Sequence, residues 1–437
     1  MRGRKQSLRQ DDLGHLRLAG HPTLRSAGSE SGWAARRTGT ASGMKALTWQ
    51  GHENVTVETV PDPRIEEPTD AIVRVTSTAI CGSDLHLYGV LGPYLARGDV
   101  LGHEAMGIVE EVGPEAGRLK VGDRVVVPFN ISCGACWMCS RGLFAQCETT
   151  QNRHTGKGAS LFGYTELYGS IPGGQAEYLR VPQAQFGPIV VPEGPPDERF
   201  LYLSDVLPTA WQAVQYADVP DGGSLAVLGL GPIGQFVVRV ARHLGIERVL
   251  AVDQVPERLA LAQKWGAEVL DFNEIDNIPE ALIHLTEGRG PDSVVDAVGM
   301  EAHGQTAIAL AQRAVGFLPK PLAQSATDHL AIDRLGALRA AIKSVRRGGT
   351  VSISGVYGGE IDPMPMMEMF DRGIQMRMGQ AHVHRWSDDI LPLLIDDSDP
   401  LGCAEFATHH LPLADAPQGY DMFQKKHDGC VKIVLNP

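Results

Sequence analysis

The sequence predicts an α/β protein that combines a mostly β, barrel-like domain with a doubly wound parallel sheet. From Met44 to about residue 200, short β-rich runs such as "AIVRVTSTAI" are separated by glycine and proline turns. From about residue 206, strands alternate with helices, which is typical of βαβ units on a parallel sheet. After about residue 380 the chain returns to irregular structure with one helix and a final strand, "CVKIVLNP".

These changes of pattern predict the domain boundaries. Residues 44–205 and 380–437 are expected to form the β-rich domain, and residues 206–379 the parallel-sheet domain inserted between them. Ligands of open parallel sheets bind at the carboxyl ends of the strands, so the functional cleft is expected between the two domains.

Residues 1–43 are rich in Arg, Gly and Ser and lack the apolar core of a secretory signal. We expect a disordered extension, or an upstream start with Met44 as the functional first residue. An Arg-rich transit peptide is a further alternative, against which Asp11, Asp12 and Glu30 count.

The composition is that of a globular protein of two or three domains, with 437 residues, 43% of them hydrophobic and 21% charged. A net charge of -13 argues against nucleic-acid or anionic-membrane partners, because a polyanion would be repelled. No apolar run is long enough to span a bilayer. Seven cysteines, four of them within residues 133–147, favour a metal site in a reducing compartment, so a cytoplasmic location is expected.

The stretch "AVLGLGPIGQ" places three glycines between a predicted strand and a predicted helix. Gly229 permits a tight turn, Gly231 lets a pyrophosphate approach the backbone, and Gly234 allows close packing of helix and strand. Asp253 ends the next strand, where a carboxylate binds ribose hydroxyls and repels a 2′-phosphate, which favours NAD over NADP. The alternatives are a glycine-rich turn without a ligand and a surface turn residue at Asp253.

The stretch "CGACWMCSRGLFAQC" supplies four cysteines that can close around a tetrahedral Zn²⁺ and leave no open position, as in a structural site. They are Cys133, Cys136, Cys139 and Cys147. A ferredoxin-type cluster would need a shorter last spacing and a proline after the last cysteine, where Glu148 stands. Disulfides would need an oxidising compartment.

The stretches "TAICGSDLHLYG" and "VLGHEAMG" contribute Cys81, His103 and Glu104. One thiolate and one imidazole are two of the three protein ligands that a catalytic zinc site normally has, beside an open position. The alternative for Cys81 is a buried, inert thiol.

The order of "CGSDLH", "GHE", the four cysteines and "GLGPIG" resembles the zinc-dependent medium-chain alcohol dehydrogenase family across residues 44–437. The resemblance implies a GroES-like β domain, a Rossmann cofactor domain, two zinc ions per chain, NAD, an alcohol or aldehyde substrate and a homo-oligomer, either dimer or tetramer. The stretch "GGQAEYLRVP" and the long segment after "DAVG" resemble the glutathione-independent formaldehyde dehydrogenase branch.

The resemblance also implies the third ligand of the catalytic zinc. The family commonly has a cysteine before the first helix leading into the cofactor domain, and here Asp205 stands at that place. Aspartate is an acceptable zinc ligand with the same formal charge as a thiolate. The alternative is that Asp205 only caps the helix that begins near Pro208. The resemblance implies that Glu104 is a reserve ligand or, more simply, a group beside the ligands that tunes the metal.

By the same resemblance, Ser83 and His86 form a proton relay from the alcohol through the nicotinamide ribose to solvent. Their alternatives are a turn-forming serine and a surface histidine. Val298 in "DAVG" and Gly355 in "ISGVYGG" match strand ends beside the nicotinamide. Lys432 matches a basic position that approaches the pyrophosphate, or else is a solvated surface lysine.

The expected function is NAD-dependent oxidation of a primary alcohol, or of formaldehyde as its hydrate. One alternative is an aldehyde dismutase, in which segment 300–348 covers the adenine and retains NAD between turnovers. That segment is longer than one crossover helix needs and equally suits a subunit contact or a surface insertion. The other alternative is a non-catalytic redox sensor that binds NAD and zinc.

Overall fold

A computed structural model of the chain describes residues 43–299, 335–357 and 364–437. The expectations for the extension before Met44 and for most of segment 300–348 lie outside these described residues. Within the described ranges, no helix combines the length and apolar character needed to cross a membrane.

The first part of the chain and its end form mainly antiparallel structure. A two-stranded ribbon pairs β1 (Gly43–Gly51) with β2 (Asn54–Pro61). A seven-stranded sheet contains β3 (Ala71–Ile80), β4 (Ala105–Val112), β5 (Arg124–Val127), β6 (Tyr178–Val181), β7 (Ile189–Val190), β14 (His409–Pro412) and β15 (Ile433–Asn436). Its order is β14-β15-β3-β4-β5-β7, with β6 also on β3, and only its β14–β15 pair is parallel. Because β15 pairs with β3, the end of the chain returns to the sheet formed by its beginning.

The middle of the chain forms a six-stranded parallel sheet with the order β10-β9-β8-β11-β12-β13. Its strands are β8 (Ser224–Leu228), β9 (Arg248–Asp253), β10 (Glu268–Asp271), β11 (Ser293–Asp296), β12 (Thr350–Ile353) and β13 (Gln375–Met378). The strand order reverses between β8 and β11, which opens a crevice at their carboxyl ends. This order confirms the predicted doubly wound sheet beside a β-rich part.

Ten α-helices lie in the described part of the chain. They are α1 (Gly82–Tyr88), α2 (Asp197–Leu201), α3 (Val206–Ala217), α4 (Pro232–His243), α5 (Pro256–Lys264), α6 (Ile278–Leu285), α7 (Gly336–Ser344), α8 (Met366–Arg372), α9 (Val383–Ile395) and α10 (Ala416–Lys425). Short 3-10 turns cover Gly92–Tyr94, Cys139–Arg141, Phe144–Gln146, Glu166–Tyr168, Tyr202–Ser204, Cys403–Glu405 and Leu413–Asp415.

The central strands of the parallel sheet are buried along their whole length. The runs "SLAVL" in β8, "SVVD" in β11 and "TVSI" in β12 contain no exposed residue. A continuous buried run is the pattern expected where helices cover both faces of a sheet. The apolar side chains of α3 and α4 complete the largest hydrophobic core.

An aromatic cluster joins the parallel-sheet region to residues that follow α9. Phe236 of α4 packs on Phe406 with ring centroids 3.9 Å apart, and Tyr202 meets Phe406 at 5.1 Å. Aromatic pairs at such distances add packing energy beyond their buried area. The cluster therefore holds the helix after the glycine turn against the segment that precedes Asp205.

Candidate functional site

The glycine turn after β8 has the geometry that a dinucleotide requires. Gly229 has φ +87°, a conformation that L side chains rarely adopt. At Gly234 a Cβ would overlap the carbonyl oxygen of Gly229, so the helix approaches the strand more closely than any other residue would allow. A Cβ at Gly231 would face open space, with only the Arg258 guanidinium as near as 3.9 Å. The N-terminus of α4 thus presents free backbone N–H groups to an open crevice.

Asp253, at the end of β9, holds the edge of this crevice in shape. Its Oδ2 accepts a hydrogen bond from the backbone N–H of Leu230 at 2.6 Å. Its Oδ1 accepts from the N–H groups of Gln254 and Val255 at 2.7 and 2.9 Å. The carboxylate lines a cavity of about 290 Å³ that also borders Gly229 and Gly231.

A second cavity, of about 140 Å³, extends from the glycine turn toward the seven-stranded sheet. Val298 and Gly355 line it. Ser83, His103 and Asp205 line it as well. Val298 also borders the first cavity, so it lies where the two cavities adjoin.

Three side chains from distant parts of the sequence converge in this second cavity. Cys81 follows β3, His103 precedes β4, and Asp205 immediately precedes α3. Asp205 Oδ2 lies 3.1 Å from His103 Nε2 and 3.6 Å from Cys81 Sγ. The three residues are 2%, 4% and 8% exposed. We call Cys81, His103 and Asp205 the mixed cluster.

The donors of the mixed cluster suit a divalent metal ion. With Glu104 included, their ligand atoms all lie within 4.8 Å of one another. Burial, followed by the charges of Glu104 and Asp205, raises the pKa of the Cys81 thiol. A divalent cation is the group that makes a thiolate stable beside two carboxylates. Sulfur, imidazole nitrogen and carboxylate oxygen are the three donor types that zinc accepts.

His103 and Asp205 also influence each other's protonation. Burial alone would lower the pKa of His103, but the charge of Asp84 and the hydrogen bonds to Asp205 and Asp84 raise it well above its usual value. Burial alone would raise the pKa of Asp205, but the hydrogen bond and charge of His103 lower it. Asp205 is therefore held as a carboxylate.

Asp84 is a functional candidate to which the sequence prediction assigned no role. Its Oδ1 lies 3.1 Å from His103 Nδ1, and its Oδ2 accepts from the N–H of Cys81 at 3.0 Å. Gln175 Nε2 donates to Oδ2 at 3.2 Å and Tyr420 donates to Gln175 Oε1 at 2.8 Å. A carboxylate on the second ring nitrogen orients a metal-binding histidine. The sequence hint was an acid three residues after Cys81, at the start of α1.

Lys432 departs from the prediction that it approaches the cofactor pyrophosphate. Its ammonium forms an ion pair with Glu104 Oε2, and both side chains are fully buried. Burial would lower the pKa of Lys432, but the Glu104 carboxylate holds it above its usual value. Lys432 lines neither cavity. The physical reason is that a buried carboxylate requires a buried cation, and Lys432, immediately before β15, is that cation.

The same ion pair determines which atom of Glu104 is available. Oε2 is occupied by Lys432, whereas Oε1 has no hydrogen-bond partner among the described residues. Glu104 is therefore a carboxylate that lies beside the mixed cluster and is held through Oε2 by Lys432.

Ser83 and His86 both lie on α1 and line the second cavity. Ser83 Oγ is 3.1 Å from His103 Nε2. His86 is buried rather than solvated, which removes the surface-histidine alternative.

The four remaining predicted metal ligands form a compact group that we call the cysteine lobe, residues 133–147. Cys136 Sγ lies 3.9 Å from Cys147 Sγ, and all four thiols are unpaired. Backbone N–H groups of Cys139 and Glu148 point at Cys136 Sγ, at 3.5 and 3.4 Å. Burial opposes ionisation of Cys136, but these N–H donors outweigh it and lower the pKa to about 6. Burial and the neighbouring Cys136 thiol raise the pKa of Cys139, so it is the grouping of four sulfur donors that favours a metal over inert thiols.

His382 attaches the cysteine lobe to the rest of the molecule. The backbone N–H of Ala145 donates to His382 Nδ1 at 3.1 Å. The N–H of His382 in turn donates to Gln212 Oε1 on α3 at 3.1 Å. Burial, with the charge of Arg385, lowers the pKa of His382 to about 4. A neutral imidazole is required because Nδ1 must accept the Ala145 hydrogen bond.

Two family profiles match the chain. The profile described as "Alcohol dehydrogenase GroES-like domain" matches residues 67–192. The profile described as "Zinc-binding dehydrogenase" matches residues 232–316. The first match contains Cys81, His103 and the cysteine lobe, and the second begins beside Gly231.

Individual relatives match nearly the whole chain. An uncharacterised zinc-type alcohol dehydrogenase-like protein of Bacillus subtilis is 41% identical over 90% of this chain and 100% of its own length. A glutathione-independent formaldehyde dehydrogenase of Pseudomonas aeruginosa is 32% identical over 91% of this chain and 98% of its own. The solved structure of an alcohol dehydrogenase from Thermus sp. ATN1 superimposes with a TM-score of 0.73 at 34% identity, covering 90% of this chain and 99% of that one.

Proposed function

The chain belongs to the zinc-type medium-chain alcohol dehydrogenases, and from this premise we propose that it transfers hydride from a primary alcohol, or from hydrated formaldehyde, to NAD. The observation that carries the proposal is that the mixed cluster, Gly231 and Val298 all line one cavity. A metal and a nicotinamide bound there would meet across the same space. The 32% identical formaldehyde dehydrogenase supports the choice of substrate class.

We propose Cys81, His103 and Asp205 as the ligands of the catalytic zinc. When bound, zinc supplies Lewis acidity toward the substrate oxygen and the nicotinamide accepts the hydride. Asp84 keeps His103 in the orientation that directs Nε2 into the cavity. Glu104, anchored by Lys432, remains the reserve ligand.

We propose that Ser83 and His86 move the proton. Both line the cavity, and their separation of three residues places them on one face of α1. The Ser83 hydroxyl would accept the proton of the alcohol as it gives up its own along the relay to His86, which would pass a proton toward solvent. Phe129 and Leu161, both buried, form an apolar wall that limits water around the reacting carbon.

We assign the first cavity to the adenosine part of NAD. Its lining by Asp253 supports NAD over NADP, because a 2′-phosphate would lie against a carboxylate. We assign a second, structural zinc to the cysteine lobe, supported by the grouping of its four ligand atoms. The domain boundaries at residues 205 and 380, the oligomeric state and the cytoplasmic location stay predictions.

The test is nicotinamide reduction by zinc-loaded protein with added NAD or NADP and a panel of primary alcohols, secondary alcohols and formaldehyde, with and without glutathione. NAD-dependent oxidation of a primary alcohol or of formaldehyde without glutathione is the expected result. Turnover confined to secondary alcohols, or to NADP, would contradict the substrate or cofactor assignment.

Two control arms separate the alternatives. Conversion of formaldehyde to methanol and formate without added NAD would replace the dehydrogenase with a dismutase that retains its cofactor. NAD binding by calorimetry without turnover of any substrate would favour the non-catalytic sensor. The matched protein control is Asp205→Ala, for which we expect NAD binding without turnover.

A further inference from the structure

The two carboxylate oxygens of Asp205 face different partners. Oδ2 lies 3.1 Å from His103 Nε2 and 3.6 Å from Cys81 Sγ, and so belongs to the mixed cluster. Oδ1 accepts a hydrogen bond from Thr209 Oγ1 at 2.8 Å. A thiolate in this position would present a single donor atom. A carboxylate presents two, so something must decide which of them reaches the metal.

Thr209 is positioned to determine which oxygen of Asp205 reaches the metal. Its backbone N–H donates to the Asp205 carbonyl at 2.9 Å, which closes the first turn of α3. Residues four apart lie on the same helix face, so the threonine hydroxyl is brought next to the aspartate side chain. β-Branching leaves the threonine few rotamers. Thr209 also lines the second cavity beside Asp205, so the contact lies at the site itself.

We propose that Thr209 is a positioning residue that makes Asp205 a one-oxygen ligand, an inference that rests on the proposed zinc site. The Thr209 hydroxyl takes up one lone pair of Oδ1 and fixes the orientation of the carboxylate, so that Oδ2 is the oxygen presented to the metal. A second carboxylate oxygen would otherwise compete for the open coordination position that the substrate needs. The hydrogen bond also draws electron density from the carboxylate and tunes its strength as a donor.

The matched variants are Thr209→Val, which keeps the shape and removes the hydroxyl, and Thr209→Ser, which keeps the hydroxyl. The probe is Co²⁺ in place of zinc, read by visible absorption. Asp205→Ala provides the baseline spectrum, because only the cysteine lobe contributes to it. Zinc affinity is measured in parallel by competition with a chelator, and folding by circular dichroism and thermal unfolding.

With Thr209→Val we expect weaker visible bands after baseline subtraction, because four-coordinate cobalt would gain a fifth donor. We also expect the zinc affinity to change about 10-fold. Thr209→Ser should match the wild type in both. A role limited to stabilising the start of α3 would lower the thermal midpoint and leave the cobalt spectrum unchanged. Should Thr209→Val not fold, Thr209→Ala is expected to give the same spectral change.

The outcomes separate this inference from the proposed function. An unchanged spectrum and zinc affinity in folded Thr209→Val, with metal lost from Asp205→Ala, would overturn the role of Thr209 alone. A wild-type cobalt spectrum in Asp205→Ala would remove Asp205 from the ligand set and overturn both.

Discussion

The two cysteine-containing clusters of this chain are built in opposite ways. The cysteine lobe draws four thiols from residues 133–147, is partly exposed, and surrounds sulfur with backbone N–H donors of its own loop. The mixed cluster draws three different donors from separate strand and helix ends and buries them at a cavity. A site closed by its own loop can serve stability, whereas a site assembled by the whole fold can leave room for substrate.

The strongest way to break this comparison is to remove the carboxylate of the mixed cluster. Asp205→Ala should lose the catalytic zinc and lower kcat/KM by about 1,000-fold or more, because two ligands and water cannot hold the metal in place. The lobe should keep its metal, so zinc analysis should fall from two ions per chain to one. Asp205→Cys is the matched control and should retain both ions. Full zinc content in Asp205→Ala would contradict the ligand assignment.

The second test removes one of the four thiols of the cysteine lobe. Cys136→Ser should lower the free energy of unfolding by on the order of 3 to 5 kcal/mol through loss of a structural metal, and leave the reaction unchanged in the folded fraction. Chemical denaturation and kcat per folded molecule measure the two effects. Cys403→Ser, at a buried cysteine outside both clusters, should keep both zinc ions. Selective loss of turnover in well-folded Cys136→Ser would contradict a structural role.

The attachment of the lobe through His382 predicts a dependence of stability on pH. The pKa of His382 is lowered to about 4 in the folded chain, below the usual value of 6.5. The unfolded chain therefore binds the proton first, and stability falls as pH decreases from about 6.5 to about 4, by up to about 3 kcal/mol.

The measurement is denaturation of wild type and His382→Asn at pH 7, 5.5 and 4.5. The stability difference between the two proteins should narrow as pH falls. Arg385→Gln removes a charge that helps to lower the pKa of His382 in the folded chain, so the loss of stability should be smaller and should be complete at a slightly higher pH. A difference that stays constant with pH would show that His382 does not remain neutral.

The smallest effect is expected from Asp84, the carboxylate beside His103 of the mixed cluster. In Asp84→Asn the amide nitrogen would face N–H donors of Cys81 or Gln175, or else His103 Nδ1, because the carboxylate accepts from both directions. Zinc affinity should fall about 10-fold, and the thermal midpoint should also fall because buried N–H donors would then oppose one another. Competition with a chelator measures the affinity. An unchanged affinity would mean that Asp84 does not orient His103.

Much of the fold and of the site was predicted from patterns among residues that are close together in the sequence. The spacing of Gly229, Gly231 and Gly234 encodes a turn whose backbone conformation is local, although a Cβ at Gly229 would also overlap the distant Val298 side chain. The cysteine lobe is equally local, because its ligands and its N–H donors come from one loop. Asp205 has no such local pattern, and was identified through the family resemblance.

The residues that were missed or misassigned depend on distant partners. Asp84 acquires a role only when β3 and β4 bring His103 beside it. Lys432 was misassigned because its place in the sequence just before β15 shows a cation but not the buried Glu104 that neutralises it. Thr209 looks like an ordinary helix residue until the donor atom of Asp205 is known.

By itself, the sequence determined the element types, the dinucleotide turn and the lobe, since propensity, glycine sterics and ligand spacing act over a few residues. Tertiary structure alone decided which side chains meet Asp205 Oδ2, which carboxylate holds His103 and which acid neutralises Lys432. Those choices depend on hydrogen bonds and charges between segments tens to hundreds of residues apart, whose desolvation cost exists only once both sheets have packed together.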